Sequence, residues 1–487
     1  MGSVTAKCSA QRRDGCERRQ PEQTLLHQVI AEHWSSFRER AEQAGGLPKF
    51  VVDEFEAYLR CGILEHGLAH LACSRCGHSM VVAFSCKRRG FCPSCLGRRM
   101  SDIAAHLVDE VLPKVPVRQW VCSLPWRLRY AMGYDRRLCA DVLAVFIAAL
   151  RRSLRHRAKL ELGLRSVDDA QIGALTFVQR GDSSLRLNMH YHTLALDGVY
   201  VRDDAGLLRF HALPNPTIEQ VADVARWTYE GLARVCERHG RSLDELDTDA
   251  DTDELAHDQP ALAACYGASV SDRQLLGAAP GQRTRKLVHP VSEVPAPGES
   301  IAEVGGVNVH AGPAIDGRDR RRLERLCRYV ARPPVAQERL ELTADRQRLM
   351  VRFKHAWRDG THAVLLDPLD LIARLVALIP PPNFHMLRYH GVLAAHANAR
   401  SEVVPGRVPE PAAPTQLRLF VGEATELELG CASPGNTKPS NRHPWAWLLQ
   451  RVFAVDVMTC PRCRGAMKLV DIANEREAIA RALASSS

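Results

Sequence analysis

The chain of 487 residues (54.1 kDa) is 46% hydrophobic, 25% charged and 6% aromatic, which suits about three globular domains and excludes a mostly disordered protein. Its net charge of +9, from 65 Lys and Arg against 56 Asp and Glu, admits a nucleic-acid partner without establishing one. The N-terminus lacks the apolar core of a secretory signal, and the longest apolar run, residues 142–150, is far short of a bilayer span. The 16 cysteines of what reads as a cytoplasmic protein are therefore metal ligands before they are disulfides.

Residues 1–21 are polar and basic and read as disordered. Helical apolar spacing runs over 22–71, broken into two helices at Gly45, Gly46 and Pro48. A cysteine-rich, basic stretch over 73–99 and a helix over 102–112 complete a first domain at 22–115. A second domain spans 116–400. In it "QWVCS" is a strand stopped by Pro125, and helical spacing returns over 137–154. Residues 172–212 form an antiparallel meander with turns at Asp197-Gly198 and around Gly206. Residues 213–240 are helical, and 241–317, rich in Asp, Ala, Gly and Pro, reads as a variable insertion. A basic helix over 319–331 ends at Pro333-Pro334. The strands "RLMVRFKH" and "HAVLLD" precede a helix with Asp367 as its cap and Pro368 at its first position. Residues 401–444 read as a linker, and 445–487 as a small module holding a last Cys-x-x-Cys.

Three motifs carry chemistry. Cys73-x-x-Cys76 and Cys92-x-x-Cys95 have the spacing of a zinc ribbon, with Cys86 able to replace one of the four; four thiolates close the site, so the metal is structural. Arg75, Lys87, Arg88, Arg89, Arg98 and Arg99 decorate this loop, as phosphate contacts or simply as a solvated face. Cys460-Pro461-Arg462-Cys463 is half a site that borrows ligands, pairs across a dimer, or binds no metal. In "LNMHYHTLAL" a strand would turn His190 and His192 to one face and Met189, Tyr191 and Thr193 to the other. Two neutral imidazoles suit a divalent cation, although one His-x-His is expected by chance. In "DRRRLERLCRYVARPP" the helical period puts Arg322, Arg325 and Tyr329 on one face. There guanidiniums can assist a phenol, which titrates near about 10 when free, as a nucleophile toward phosphorus.

The ribbon "CSRCGHSMVVAFSCKRRGFCPSCLGRRM", followed by "GALTFVQRGDSSLRLNMHYHTLALDGVY", "LERLCRYVARPPVAQERL" and "RYHGVLAAHANAR", resembles the HUH transposases of the insertion-sequence ninety-one group and its common-region relatives. The resemblance implies an α+β fold: a helical zinc-ribbon module for DNA recognition, then an HUH nuclease domain with a mostly antiparallel sheet flanked by helices. It implies magnesium or manganese on His190 and His192, with Gln179 or Asp182 as third ligand, and structural zinc on the ribbon. Tyr329 would attack single-stranded DNA, leaving a 5′-phosphotyrosine and a free 3′-hydroxyl in rolling-circle transposition. Arg325 stands where two-tyrosine members carry another tyrosine, so the chain resembles single-tyrosine relatives. The implied partners are single-stranded and duplex DNA at element ends and target, in a cytoplasmic, nucleoid-associated setting. A plasmid-type replication initiator or relaxase shares this chemistry, and a non-catalytic zinc-dependent DNA-binding protein is the alternative outside enzymes.

Overall fold

Two amphipathic helices open the fold, α1 (Leu25–Gln43) and α2 (Lys49–Leu59). The Thr24 hydroxyl caps α1 by accepting from the His27 amide, and α1 stops where Gly45 and Gly46 take positive φ. The helices close on Trp34 stacked against Phe55 at 4.2 Å, and Phe91 packs tilted on Phe55 at 4.7 Å. This computed structural model describes residues 20–241, 254–289, 300–406 and 458–485. The disorder expected over 1–21 and the linker expected over 401–444 lie almost wholly outside the described residues.

The helical reading of 22–71 overruns. Leu64–His66 is a single tight turn, and Leu68–Cys73 is strand β1. It is extended because both its edges are paired, one with β2 (Ser79–Ala83) and the other with β15 (Met467–Ala473) from the far end of the chain. Local periodicity cannot register such a partner.

The largest sheet has six strands, β3 (Val117–Ser123), β4 (Gly173–Gly181), β5 (Leu187–Leu196), β9 (Ile301–Val304), β10 (Val307–Ile315) and β14 (Leu387–Gly391). Their order is β14-β4-β5-β3-β10-β9, and every pairing is antiparallel. The face bearing Trp120, Val178, Met189 and Tyr191 packs on α4 (Trp126–Tyr134), α5 (Arg136–Leu162), α6 (Ile218–Arg238) and α8 (Pro260–Ser271). The face bearing Leu175, Phe177 and Leu194 packs on α3 (Pro93–His106), its π-helical extension Leu107–Val111, and α9 (Arg320–Val330). A sheet between two helical layers is the α+β architecture the sequence implies.

Two expectations change. The meander over 172–212 is not one sheet: β6 (Gly198–Arg202) and β7 (Leu208–Ala212) form a separate hairpin. Gly198 permits their close approach, since a Cβ there would lie 2.2 Å from the His211 carbonyl oxygen. Nor is 241–317 merely an insertion. Leu262, Cys265 and Tyr266 of α8, which follows the short α7 (Glu254–Asp258), are buried in the main core. β10 sits inside the sheet between β3 and β9. Its alternation is broken by a register shift between Ala311 and Ala314, around Gly312-Pro313, which hides the strand from sequence reading.

A four-stranded sheet of β11 (Leu340–Leu342), β12 (Leu349–Arg352), β13 (Thr361–Leu366) and β8 (Arg285–Val288) lies alongside. It is followed by the buried helix α10 (Pro368–Leu378) and, after β14, the short α11 (Arg400–Val403). Asp367 takes the N-cap position of α10 without a side-chain cap bond; its carboxylate instead accepts from the Ala278 amide. Among the described residues no helix is long and apolar enough to cross a membrane.

Candidate functional site

The β5 alternation places Met189, Tyr191 and Thr193 fully in the core, which forces His190 and His192 onto the other face. Tyr191 is anchored there by its hydroxyl, which donates to the Cys139 carbonyl at 3.0 Å. The two imidazole centres lie 5.0 Å apart. His190 Nδ1 is 2.8 Å from the Asn188 carbonyl oxygen, so it carries the proton and leaves Nε2 as a lone pair. His192 Nδ1 is 2.6 Å from the Gln119 amide on β3. That amide serves His192 equally by presenting its oxygen, which would free Nε2 in the same way. Burial pushes His190 below its ordinary range, and burial, together with the neighbouring His190 ring and the Arg332 cation, pushes His192 well below. Both rings are thus neutral at pH 7, the state in which imidazole ligates a metal.

Tyr329 comes from the last turn of α9. Its ring stands perpendicular to His192, 84° between planes and 6.1 Å between centres, and it is 43% exposed. α9 takes this position because Leu323, Cys327 and Val330 are buried against the sheet, leaving Arg322, Arg325 and Tyr329 outward. Asp319 caps the helix by accepting from the Arg322 amide at 3.0 Å. The guanidinium set over the phenol is Arg332, 4.8 Å from the ring centre. Sequence reading passed over Arg332 because it lies beyond the helical period that singled out Arg325.

Gln179 and Asp182 separate cleanly. Gln179 pairs in register with His190 across β4 and β5, and its amide nitrogen donates to the Val330 carbonyl at 2.7 Å. This bond ties the end of α9 to the histidine row and does not use the side-chain oxygen, which is the metal-ligating atom of an amide. Asp182 instead staples its own turn. One oxygen accepts from the Ser184 hydroxyl and the Ser184 and Arg186 amides, the other from Arg186 Nε. Burial opposes its ionisation, but Arg186 and Ser184 hold its carboxyl below the ordinary carboxylate range. Among the described residues no Asp, Glu, Cys or further His joins the two histidines in a cluster of three.

The thiols do not assemble as the ribbon spacing predicts. Cys73, Cys76, Cys92 and Cys95 are divided between two clusters. Cys92 and Cys95 join Cys61 and Cys86, whereas Cys73 and Cys76 join Cys460 and Cys463. In the inner cluster the Cys61–Cys95, Cys86–Cys95 and Cys61–Cys92 sulfur separations are 3.7, 3.4 and 3.7 Å. A tetrahedron with zinc–sulfur bonds of about 2.3 Å has edges near 3.8 Å, so this donor set fits zinc. The correction has a physical cause: β1 carries Cys73 away into the small sheet, while the loop after β2 folds Cys86 back onto the N-terminus of α3, where Cys92 and Cys95 stand. Cys61, just past α2, was missed because it belongs to no Cys-x-x-Cys. Glu54 supports the loop by accepting from the Gly90 amide at 2.6 Å.

Of the basic residues singled out in sequence, Arg75, Lys87 and Arg89 are exposed and Arg88, Arg98 and Arg99 half-buried. Arg88 reaches Asp53, and Arg98 donates to Ser85. Arg89 and Arg99 line a cavity of about 610 Å³ whose other walls are Gln179, Arg332, Arg339 and His385. The segment bearing the inner thiol cluster, the end of β4 and the loop after α9 thus share one cleft.

Residues 173–401 match the family described as a putative transposase, and residues 29–124 match the family described as a transposase zinc-binding domain. The second match contains the whole inner thiol cluster, which supports structural zinc there. The chain is 27% identical over 361 residues, 72% of either length, to the transposase for insertion sequence element IS801 of Pseudomonas savastanoi pv. phaseolicola. No solved structure matches it.

Proposed function

The chain belongs to the transposases of the insertion-sequence ninety-one type with an N-terminal zinc-binding domain, and from that premise we propose that it nicks and rejoins single-stranded DNA through a 5′-phosphotyrosine on Tyr329. The observation that carries this is the meeting of His190, His192 and Tyr329, with the His192 ring in contact with each of the other two although the tyrosine comes from a helix far along the chain. A transposase acts on DNA; the preference for a single strand is part of the proposal.

In this reading His190, His192 and the Gln179 oxygen hold a magnesium or manganese ion. Neutral imidazoles with free Nε2 atoms fit such a cation, which when bound polarises a phosphate oxygen. Asn188 and Gln119 orient the two rings. Tyr329 loses its phenolic proton as its oxygen forms a bond to phosphorus. The bond from phosphorus to the 3′-oxygen breaks, and that oxygen takes up a proton to become the free 3′-hydroxyl. Rejoining runs the same steps in reverse. Arg332 stabilises negative charge at the phenol and phosphate, and Arg325, exposed one turn earlier, binds a flanking phosphate. The strand runs through the cleft toward Arg89 and Arg99, with Arg75, Lys87, Arg88, Arg98 and Arg322 as further phosphate contacts.

The test is a covalent-adduct assay with labelled single-stranded DNA from the ends of the element. Wild type with manganese should give a protease-sensitive adduct that maps to Tyr329, and Tyr329→Phe should give none. An adduct on Tyr130, Tyr134, Tyr389 or a serine, with Tyr329→Phe still active, would overturn the mechanism.

A further inference from the structure

We propose that the chain carries a second structural zinc, held by Cys73, Cys76, Cys460 and Cys463, and that this ion fastens the C-terminal module onto the N-terminal one. The zinc-binding match ends at residue 124 and so contains only half of this ligand set.

The four sulfurs lie within 4.8 Å of one another. The contacts cross between the two Cys-x-x-Cys pairs: Cys73 to Cys463 at 3.4 Å and Cys76 to Cys460 at 3.6 Å. Disulfides, at about 2.04 Å, are excluded by those separations, whereas tetrahedral zinc with bonds of about 2.3 Å has edges of nearly that length. Two turns of matching design hold the sulfurs. The Gly77 amide closes one turn onto the Cys73 carbonyl, and the Arg464 amide closes the other onto the Cys460 carbonyl. The Arg75 amide points at the Cys73 sulfur at 3.4 Å. Gly465 leaves room between the turns: a Cβ there would lie 3.1 Å from the Cys73 sulfur and 3.2 Å from that of Cys463. With four thiolates and no open position, the site is structural, not catalytic.

The surroundings show what the ion is for. β15 pairs with β1 so that Cys73 faces Met467 and Leu68 faces Ala473, bringing both Cys-x-x-Cys turns to one end of the three-stranded sheet. Among the described residues the apolar support is slight: Leu71 and Met467 beside the cysteines, and Ile479 and Ala482 of the helix Arg476–Ser485 packed with Leu68 and Ala473. Small modules with so little apolar surface to bury commonly rely on a metal. The two sulfur pairs in contact are 390 and 384 residues apart, so the ion closes most of the chain into a ring. Cys76 is exposed and Cys463 half-exposed, whereas Cys61, Cys92 and Cys95 of the inner cluster are buried. The outer zinc should therefore be the one that chelators remove first.

The experiment is metal analysis of the full-length chain, refolded or purified with excess zinc and then freed of loose metal. Two zinc per chain are expected, falling to one in the double variant Cys460→Ser/Cys463→Ser with unchanged helical content. Cobalt substitution supplies a second readout, since the thiolate charge-transfer absorption should halve in that variant. A protease site placed within residues 407–457 tests the fastening. After cleavage the C-terminal fragment should stay bound through gel filtration in the wild type and separate in the double variant. One zinc in the wild type, two in the double variant, or a fragment equally retained by both would overturn the proposal.

Discussion

Replacing Arg332 by glutamine removes a charge and little volume, and its consequence follows from one distance. The guanidinium lies 4.8 Å from the centre of the Tyr329 ring. At that separation, with an effective dielectric of about 20, two unit charges interact by about 3.5 kcal/mol. Tyr329 is 43% exposed, and only part of a charge remains on the phenol in the transition state. Screening therefore leaves roughly 1.5 kcal/mol, or about a tenfold loss of rate. Single-turnover cleavage of a 5′-labelled oligonucleotide at saturating manganese measures this directly, with the adduct resolved on a denaturing gel. Arg325→Gln, which lies farther along the exposed face, should weaken DNA binding more than it slows cleavage. A rate for Arg332→Gln within twofold of wild type, or a rate defect confined to Arg325→Gln, would refute the assignment of Arg332 to the reacting phenol.

His190→Ala and His192→Ala should each abolish cleavage while leaving the zinc content unchanged; full nicking by the double variant would dismiss the histidine pair. Burial lowers both histidine pKa values relative to 6.5, so protons bind the unfolded chain first as pH falls. The stability these rings contribute is complete above 6.5 and is lost below it. Manganese affinity, followed by the electron paramagnetic resonance signal of the free ion, should accordingly stay flat from pH 8 to about 6.5; a midpoint at or above 6.5 would contradict the buried, neutral pair. Cys92→Ser should remove the inner zinc and cooperatively destabilise the N-terminal module, since structural zinc contributes on the order of 10 kcal/mol to folding; an unchanged melting temperature would argue against that site. Lys87→Gln with Arg89→Gln should reduce the salt dependence of single-strand binding by about one to two in the log–log slope, near 0.7 for each phosphate no longer neutralised; an unchanged slope would place the strand elsewhere.

Much of this site was legible in the chain because it rests on local periodicities. The alternation of "LNMHYHTLAL" put His190 and His192 on one face, and Met189 and Tyr191 are buried on the other, as a period of two requires. Asp319 and Pro333-Pro334 bracketed the helix that carries Tyr329, because caps and breakers act within a few residues. Where a partner lies far along the chain, the same reasoning ran out. β1 is a strand only because β15 lies beside it, and β10 is legible only once β3 and β9 flank it. Arg332 becomes the phenol's cation only when the turn after α9 folds back over Tyr329. The thiols are the plainest case. Sequence spacing identifies the chelating pairs, since two cysteines three apart grip one edge of a tetrahedron wherever they occur. Which two pairs share an ion is decided by the edges that meet in space, and here strand pairing carried Cys73 and Cys76 to Cys460 and Cys463, leaving Cys92 and Cys95 to close with Cys61 and Cys86.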